Sequence, residues 1–187
     1  SLGSHVIILL MAAFMLSKGL ERANLHKRFA IYMLRLTGSG SPLKLVLGFM
    51  LTTAVLSMWI SNTATVLMML PMAIAIINAV DNPRFGVALI LGIAYSASLG
   101  GVGTPIGTPP NIIFMSVYEE TQGIEYSFID WMKTGVPIVI LGVPIMALWL
   151  ARGIKEVGHI DLPVPSTWSR AEKRVLAIFG TVVLAWI

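Results

Sequence analysis

Ser57-Met-Trp-Ile-Ser-Asn-Thr-Ala-Thr65 interrupts an otherwise apolar, uncharged run from Leu45 to Val80. Polar side chains and non-helical backbone persist at membrane depth only where they face protein, water or a ligand. The Ser61-Asn62-Thr63 cluster therefore reads as half of a binding site for a substrate and a cation. A second polar break, Gly100-Gly-Val-Gly-Thr-Pro-Ile-Gly-Thr-Pro-Pro-Asn111, reads as its counterpart.

Composition places these breaks in a membrane. Of the 187 residues, 56% are hydrophobic and only 12% charged, against about 25% charged in soluble domains. The mean hydropathy is +0.84. The sequence has no cysteine, which excludes thiolate metal sites and disulfides. His5, His26 and His159 lack metal-ligand spacing and read as surface or interfacial histidines. The net charge of +4 comes from basic residues clustered between apolar runs, the pattern of cytoplasmic loops rather than of a nucleic-acid surface. The expected fold is all-α and integral to the membrane.

The chain divides by charge. Residues 1–44 read as the end of a spanning helix followed by an amphipathic interfacial helix at Leu25–Leu36, with Leu25, Phe29, Ile31, Tyr32, Leu34 and Leu36 at helical spacing. Residues 45–80 form one uncharged run, ended by an expected turn at Asp81-Asn-Pro-Arg84, and 85–118 form the next. The acidic loop 119–130 holds Glu119, Glu120, Glu125 and Asp130. Residues 131–151 read as a clean span, with Trp131 and Trp149 as interfacial anchors and Pro137 and Pro144 as kinks. The basic loop 152–174 follows, and 175–187 starts another spanning helix. His5–Leu16 and Val175–Ile187 fall short of the roughly 20 residues a span requires. Basic residues follow the first run rather than precede it, against a signal peptide. The chain is expected to be an internal piece of a longer protein.

Charge also sets topology. The positive-inside rule puts 18–44 and 152–174 in the cytoplasm and the 119–130 loop outside. From Lys44 to Glu119 the chain then crosses an odd number of times. Two uncharged runs crossing once each would violate this, so one of them turns back. The 45–80 run, with Ser-Asn-Thr near its middle, makes the better re-entrant hairpin, and 85–118 then crosses once as an interrupted helix. The reverse assignment satisfies the same parity.

A re-entrant tip exposes the first N–H groups of its second arm, the positive end of a helix dipole. Asn62 and Thr63 add an amide and a hydroxyl there, and Ser57 and Ser61 are expected on one face of the first arm at i, i+4. In the second break, four glycines (Gly100, Gly101, Gly103, Gly107) and three prolines (Pro105, Pro109, Pro110) are expected to unwind the helix and free carbonyls for a cation. Thr104, Thr108 and Asn111 supply further side-chain oxygens. Gly92, Ser96 and Gly100 form a small-residue stripe for close helix packing. Runs 45–80 and 85–118 contain no Asp, Glu, Lys or Arg, so no proton relay is visible there and an anion would be met by dipoles, amides, hydroxyls and bound cations.

Ser57-Met-Trp-Ile-Ser-Asn-Thr-Ala-Thr-x-x-Met-Met-Leu-Pro71 resembles the first Ser-Asn-Thr signature of the divalent anion:sodium symporter family. The stretch from Ala94 to Asn111 resembles that family's unwound helix, and Lys18-Gly-Leu-Glu-Arg-x-x-Leu-His-Lys-Arg28 its interfacial segment. The resemblance implies one of two inverted repeats of a homodimeric, sodium-coupled elevator transporter of dicarboxylates, citrate or sulfate in the plasma membrane. It implies that Ser61, Asn62 and Thr63 contact a substrate carboxylate. It implies that Ser57, Ser61 and Asn62 hold a sodium ion with backbone at Gly101, Gly103 and Thr104. The second repeat, with its own Ser-Asn-Thr, is not among these residues. Rival readings are a proton-coupled or exchange-type transporter of a related family, and an inactive structural half of a split transporter. A membrane enzyme would need a nucleophile–base pair or metal ligands, which the apolar runs lack.

Overall fold

A computed structural model describes residues 5–23, 25–38, 40–80, 82–155 and 167–186. In chain order the helices are α1 (His5–Arg22), α2 (Leu25–Thr37), α3 (Pro42–Ser57), α4 (Asn62–Ala79), α5 (Pro83–Gly101), α6 (Pro109–Gln122), α7 (Phe128–Leu150) and α8 (Arg170–Trp186). No strand occurs among the described residues. Asp81, the 156–166 part of the expected basic loop, His159 and the side chains of His5 and His26 lie outside what the structure describes.

Local chemistry starts these helices. Ser41 caps α3 by accepting from Lys44 N, Ser61 caps α4 through Ala64 N, Asn82 caps α5 through Phe85 N, and Ser127 caps α7 through Asp130 N. Proline opens α3, α5 and α6, where its missing N–H costs nothing. Gly123, at φ +68°, closes α6 in the left-handed conformation that glycine adopts most cheaply.

The same chemistry moves several expected boundaries. Helix α5 continues through Gly100 and Gly101, and Pro109, Pro110 and Asn111 open α6 rather than belonging to unwound chain, so the break narrows to 102–108. Glu119 and Glu120 lie in α6, and Arg170, Lys173 and Arg174 in α8, not in loops. Helix α7 is not charge-free: Lys133 lies in its second turn, 2.7 Å from Asp130. Pro137 and Pro144 are accommodated inside it.

Helix α5 is the spine. A Cβ on Gly92 would lie 3.0 Å from the Met50 side chain and 3.6 Å from Val46. One on Gly100 would overlap the Ala54 carbonyl. Helix α3 therefore runs parallel to α5, and the Gly92-Ser96-Gly100 stripe is their contact. A Cβ on Gly86 would meet Ile77 at 3.2 Å and one on Gly101 would meet Asn62 at 2.7 Å, so α4 runs antiparallel to α5. Helices α3 and α4 are thus an antiparallel pair joined by residues 58–61. Helix α7 also opposes α5: Gly135 abuts Val102 and Gly103, Gly142 abuts Leu99, and Leu150 and Arg152 share a cavity with Pro83 and Arg84.

These directions put Lys44, Arg84 and Arg152 at one end of the bundle. The 58–61 turn and the 102–108 break lie together toward the other end. The core is apolar, built on Leu45, Phe49, Met50, Phe85, Leu89, Ile93, Val139 and Val143. Helices α4, α5 and α7 are long and apolar enough to cross a membrane, while α3 is shorter. The outer face of α7 exposes Ile140, Leu141, Ile145 and Trp149, a surface suited to lipid.

In α2, Leu25 and Leu34 are buried, but Phe29, Tyr32 and Leu36 are exposed, and Arg28 is 5% exposed. Its guanidinium bonds both carboxylate oxygens of Glu172 on α8, at 3.0 and 3.1 Å, as well as Thr167 O at 3.0 Å. It also lies 4.5 Å from the Trp168 ring centroid.

Candidate functional site

The turn 58–61 exists because two helices end there. Helix α3 stops at Ser57 and Ser61 caps α4, so Ser57 and Ser61 do not share one helix face as the i, i+4 spacing suggested. Met58 N and Ile60 N close the end of α3 on Ala54 O and Leu56 O. Ala64 N and Thr65 N are satisfied by Ser61. The first-turn N–H groups of Asn62 and Thr63 are left without a helical acceptor, the ordinary condition of a helix start. Ser61 and Thr63 are exposed at this tip and Asn62 is half-buried.

Ser57 is fully buried. Its Oγ lies 2.5 Å from Asn62 Oδ1 and 2.7 Å from Ala97 O. A hydroxyl has one proton to donate. Two acceptors therefore compete for it, unless Asn62 turns its NH2 toward Ser57. Hydroxyl, amide and carbonyl oxygens thus converge with few protons between them, a donor set of the hard, uncharged kind that an alkali cation takes. Asn62 also packs on Gly101, where any side chain would collide with it.

The second break is tied to the first. Thr104, fully buried, donates its hydroxyl to Met58 O at 2.5 Å. Gly103 packs against the Met58 side chain. Asn111 donates its NH2 to Gly101 O at 2.7 Å and to Thr104 O at 2.9 Å. Asn111 thus acts as a clamp on the carbonyls rather than presenting its amide nitrogen to a ligand. Gly101 O keeps a second lone pair, whereas Thr104 O also accepts from Gly107 N at 3.2 Å. Thr108 caps α6 without a side-chain hydrogen bond.

Ser57, Asn62 and Gly101 therefore meet directly, and Thr104 and Asn111 join them through backbone. Gly103 O faces Gly135 on α7, and Ser61 and Thr63 stand at the exposed tip. Trp131 had no site role in the sequence, where it reads as an interfacial anchor. Its indole N–H donates to Val102 O at 2.8 Å, so α7 also holds the break. Nothing local links two residues 29 positions apart. The residues gathered here are all uncharged, and no cluster of three His, Cys, Asp or Glu able to hold a metal occurs among the described residues.

Known proteins are similar to this sequence. The family model described as citrate transporter matches residues 1–187. The chain is 41% identical over 159 residues to the sodium-dependent dicarboxylate transporter SdcS of Staphylococcus aureus strain USA300, which covers 79% of this chain and 30% of that protein. SdcS of strains NCTC 8325 and COL matches with the same identity and coverage. The chain spans 30% of the length of these curated relatives.

Proposed function

Because the chain belongs to the citrate transporter family, as a permease of the divalent anion:sodium symporter type, we propose that it supplies one inverted repeat of a sodium-coupled transporter for small dianions such as C4-dicarboxylates. The observation that carries this reading is the meeting of the 58–61 turn with the 102–108 break through uncharged oxygens: Ser57 with Asn62 and Ala97, and Thr104 with Met58. The printed name of the relatives, a sodium-dependent dicarboxylate transporter, supports both ion and substrate class.

In this reading α3 and α4 are a re-entrant hairpin. Helix α3 has 16 residues and rises about 24 Å, short of a hydrocarbon core of about 30 Å. Helix α7 begins at Phe128, about two turns beyond Gly135, which abuts the break, so the tip falls inside the span of α7. The end carrying Lys44, Arg84 and Arg152 is cytoplasmic by the positive-inside rule. The exposed Ser61 and Thr63 hydroxyls, the Asn62 amide and the first N–H groups of α4 receive one carboxylate. Ser57, Ser61 and Asn62, with carbonyls at Gly101, Gly103 and Thr104, hold sodium. A bound cation supplies the positive charge that the side chains lack, which couples anion binding to sodium. A second repeat completes the anion site from the other side. Two protomers then form the dimer against which the transport elements move as an elevator.

Uptake of labelled succinate by the full-length permease carrying this chain, reconstituted in proteoliposomes, is expected to require an inward sodium gradient. Asn62→Ala removes the amide at the centre of the site and should lower uptake at least about tenfold. Full uptake by that variant, or uptake indifferent to sodium, would overturn the assignment.

A further inference from the structure

Thr65 Oγ1 is the buried side-chain polar atom without a hydrogen-bond partner among the described residues. The residue has no solvent exposure. Helical hydroxyls elsewhere in the bundle use the carbonyl four residues back: Thr52 bonds Gly48 O at 2.7 Å, Thr53 bonds Phe49 O at 2.6 Å and Ser96 bonds Gly92 O at 2.6 Å. The carbonyl four residues before Thr65 belongs to Ser61 and receives the Thr65 N–H at 3.0 Å, but not its hydroxyl. A buried hydroxyl left unpaired disfavours the folded state, so its presence calls for a partner.

Its position says what that partner is. Thr65 follows Asn62 by three residues and Ser61 by four, so it shares their face of α4. Along the antiparallel pair, Asn62 meets Gly101 and Ile77 meets Gly86. The same register brings Thr65 level with Ala97 and Ser98, and Ala97 O is the carbonyl that Ser57 Oγ reaches. The orphan hydroxyl thus lies at the level where hydroxyl, amide and carbonyl oxygens already gather. We propose that Thr65 Oγ1 is a further ligand of the coupling sodium ion, set on the same helix face as Asn62. This assignment rests on the sodium-coupled reading above and adds a residue to it.

Thr65→Val keeps the shape and removes the oxygen. The test is thermal unfolding of the full-length permease carrying this chain, in detergent, titrated with sodium chloride against choline chloride. In choline, Thr65→Val should be at least as stable as the parent, because an unpaired buried hydroxyl is gone. In sodium, the concentration giving half of the stabilisation should rise about tenfold, and Thr65→Ser should restore the parent titration. A valine variant with the parent's sodium titration overturns the proposal, as does one destabilised equally in both salts. If the parent gains nothing from sodium, the sodium-coupled reading fails with it. If Asn62→Ala loses the sodium effect while Thr65→Val keeps it, only the Thr65 assignment falls.

Discussion

Two contacts in this molecule are built on opposite principles. The α3–α4–α5 trio is joined without charge: glycines let backbones touch, and the polar links are Ser57 to Ala97, Ser57 to Asn62 and Thr104 to Met58. Helix α8 is fastened to α2 by charge. Arg28 and Glu172 form a two-pronged ion pair, Trp168 covers the guanidinium, and Ser169 and Glu172 cap the helix reciprocally. Charges are costly at membrane depth, so elements that gather a site there are held by shape and neutral hydrogen bonds. A contact of the first kind is sensitive to volume, and one of the second kind to protonation.

The largest effect should come from adding volume to the trio. A Cβ at Gly100 would overlap the Ala54 carbonyl and lie 2.6 Å from Ala54 Cα, and backbone has no rotamer by which to yield. Gly100→Ala should cost at least about 3 kcal/mol and abolish a monodisperse folded species in size-exclusion chromatography. Gly92→Ala is the matched control. Its new methyl would meet the Met50 side chain at 3.0 Å, and methionine can move aside. If the two variants behave alike, shape is not what joins α3 to α5.

A smaller effect tests the neutral hydrogen bonds. Asn111→Ala strips Gly101 O and Thr104 O of their side-chain donor, although Thr104 O keeps the N–H of Gly107 at 3.2 Å. The cost should be about 2 kcal/mol, read as a lowered thermal midpoint. Because the clamp positions carbonyls, the sodium concentration for half-maximal uptake should rise more than the maximal rate falls. Equal loss of both would place Asn111 outside the site.

What the sequence reveals follows the same division. The polar break at Ser61-Asn62-Thr63, the glycine stripe and the proline-rich second break are local patterns, and each marks a real end or contact of a helix. The reading erred where one residue type serves two purposes. Pro109 and Pro110 look like helix breakers but open α6, where a missing N–H is harmless. Arg28 looks like one more cytoplasmic cation, but its partner is 144 positions away. Ser57 and Ala97 are 40 apart, and Trp131 and Val102 are 29 apart. No periodicity encodes such pairs, because they are decided by how helices pack after each has formed. Thr65 stands in the quoted signature itself, yet only its burial without a partner sets it apart from Thr63.

The smallest effect is a pH dependence confined to the charged contact. The Glu172 carboxyl is held below its ordinary range, chiefly by the Ser169 N–H and next by Arg28. A carboxylate whose folded pKa is depressed adds stability that is complete above its unfolded value, near about 4.3. That contribution is lost as pH falls through the lower, folded value. Acidification from neutrality to about pH 5 should therefore leave the α2–α8 contact intact, and further acidification should loosen it. Hydrogen exchange would report this as faster amides at the start of α8, with amides of α3 and α5 between Leu45 and Ser57 and between Phe85 and Gly101 unchanged, since neither stretch contains a titratable acid. Glu172→Gln keeps the side-chain shape and removes the titrating group, so its α8 amides should exchange faster already at neutral pH and show no acid step. If α3 and α5 loosen in step with α8 in the parent, the two contacts are one cooperative unit and the division between them does not hold.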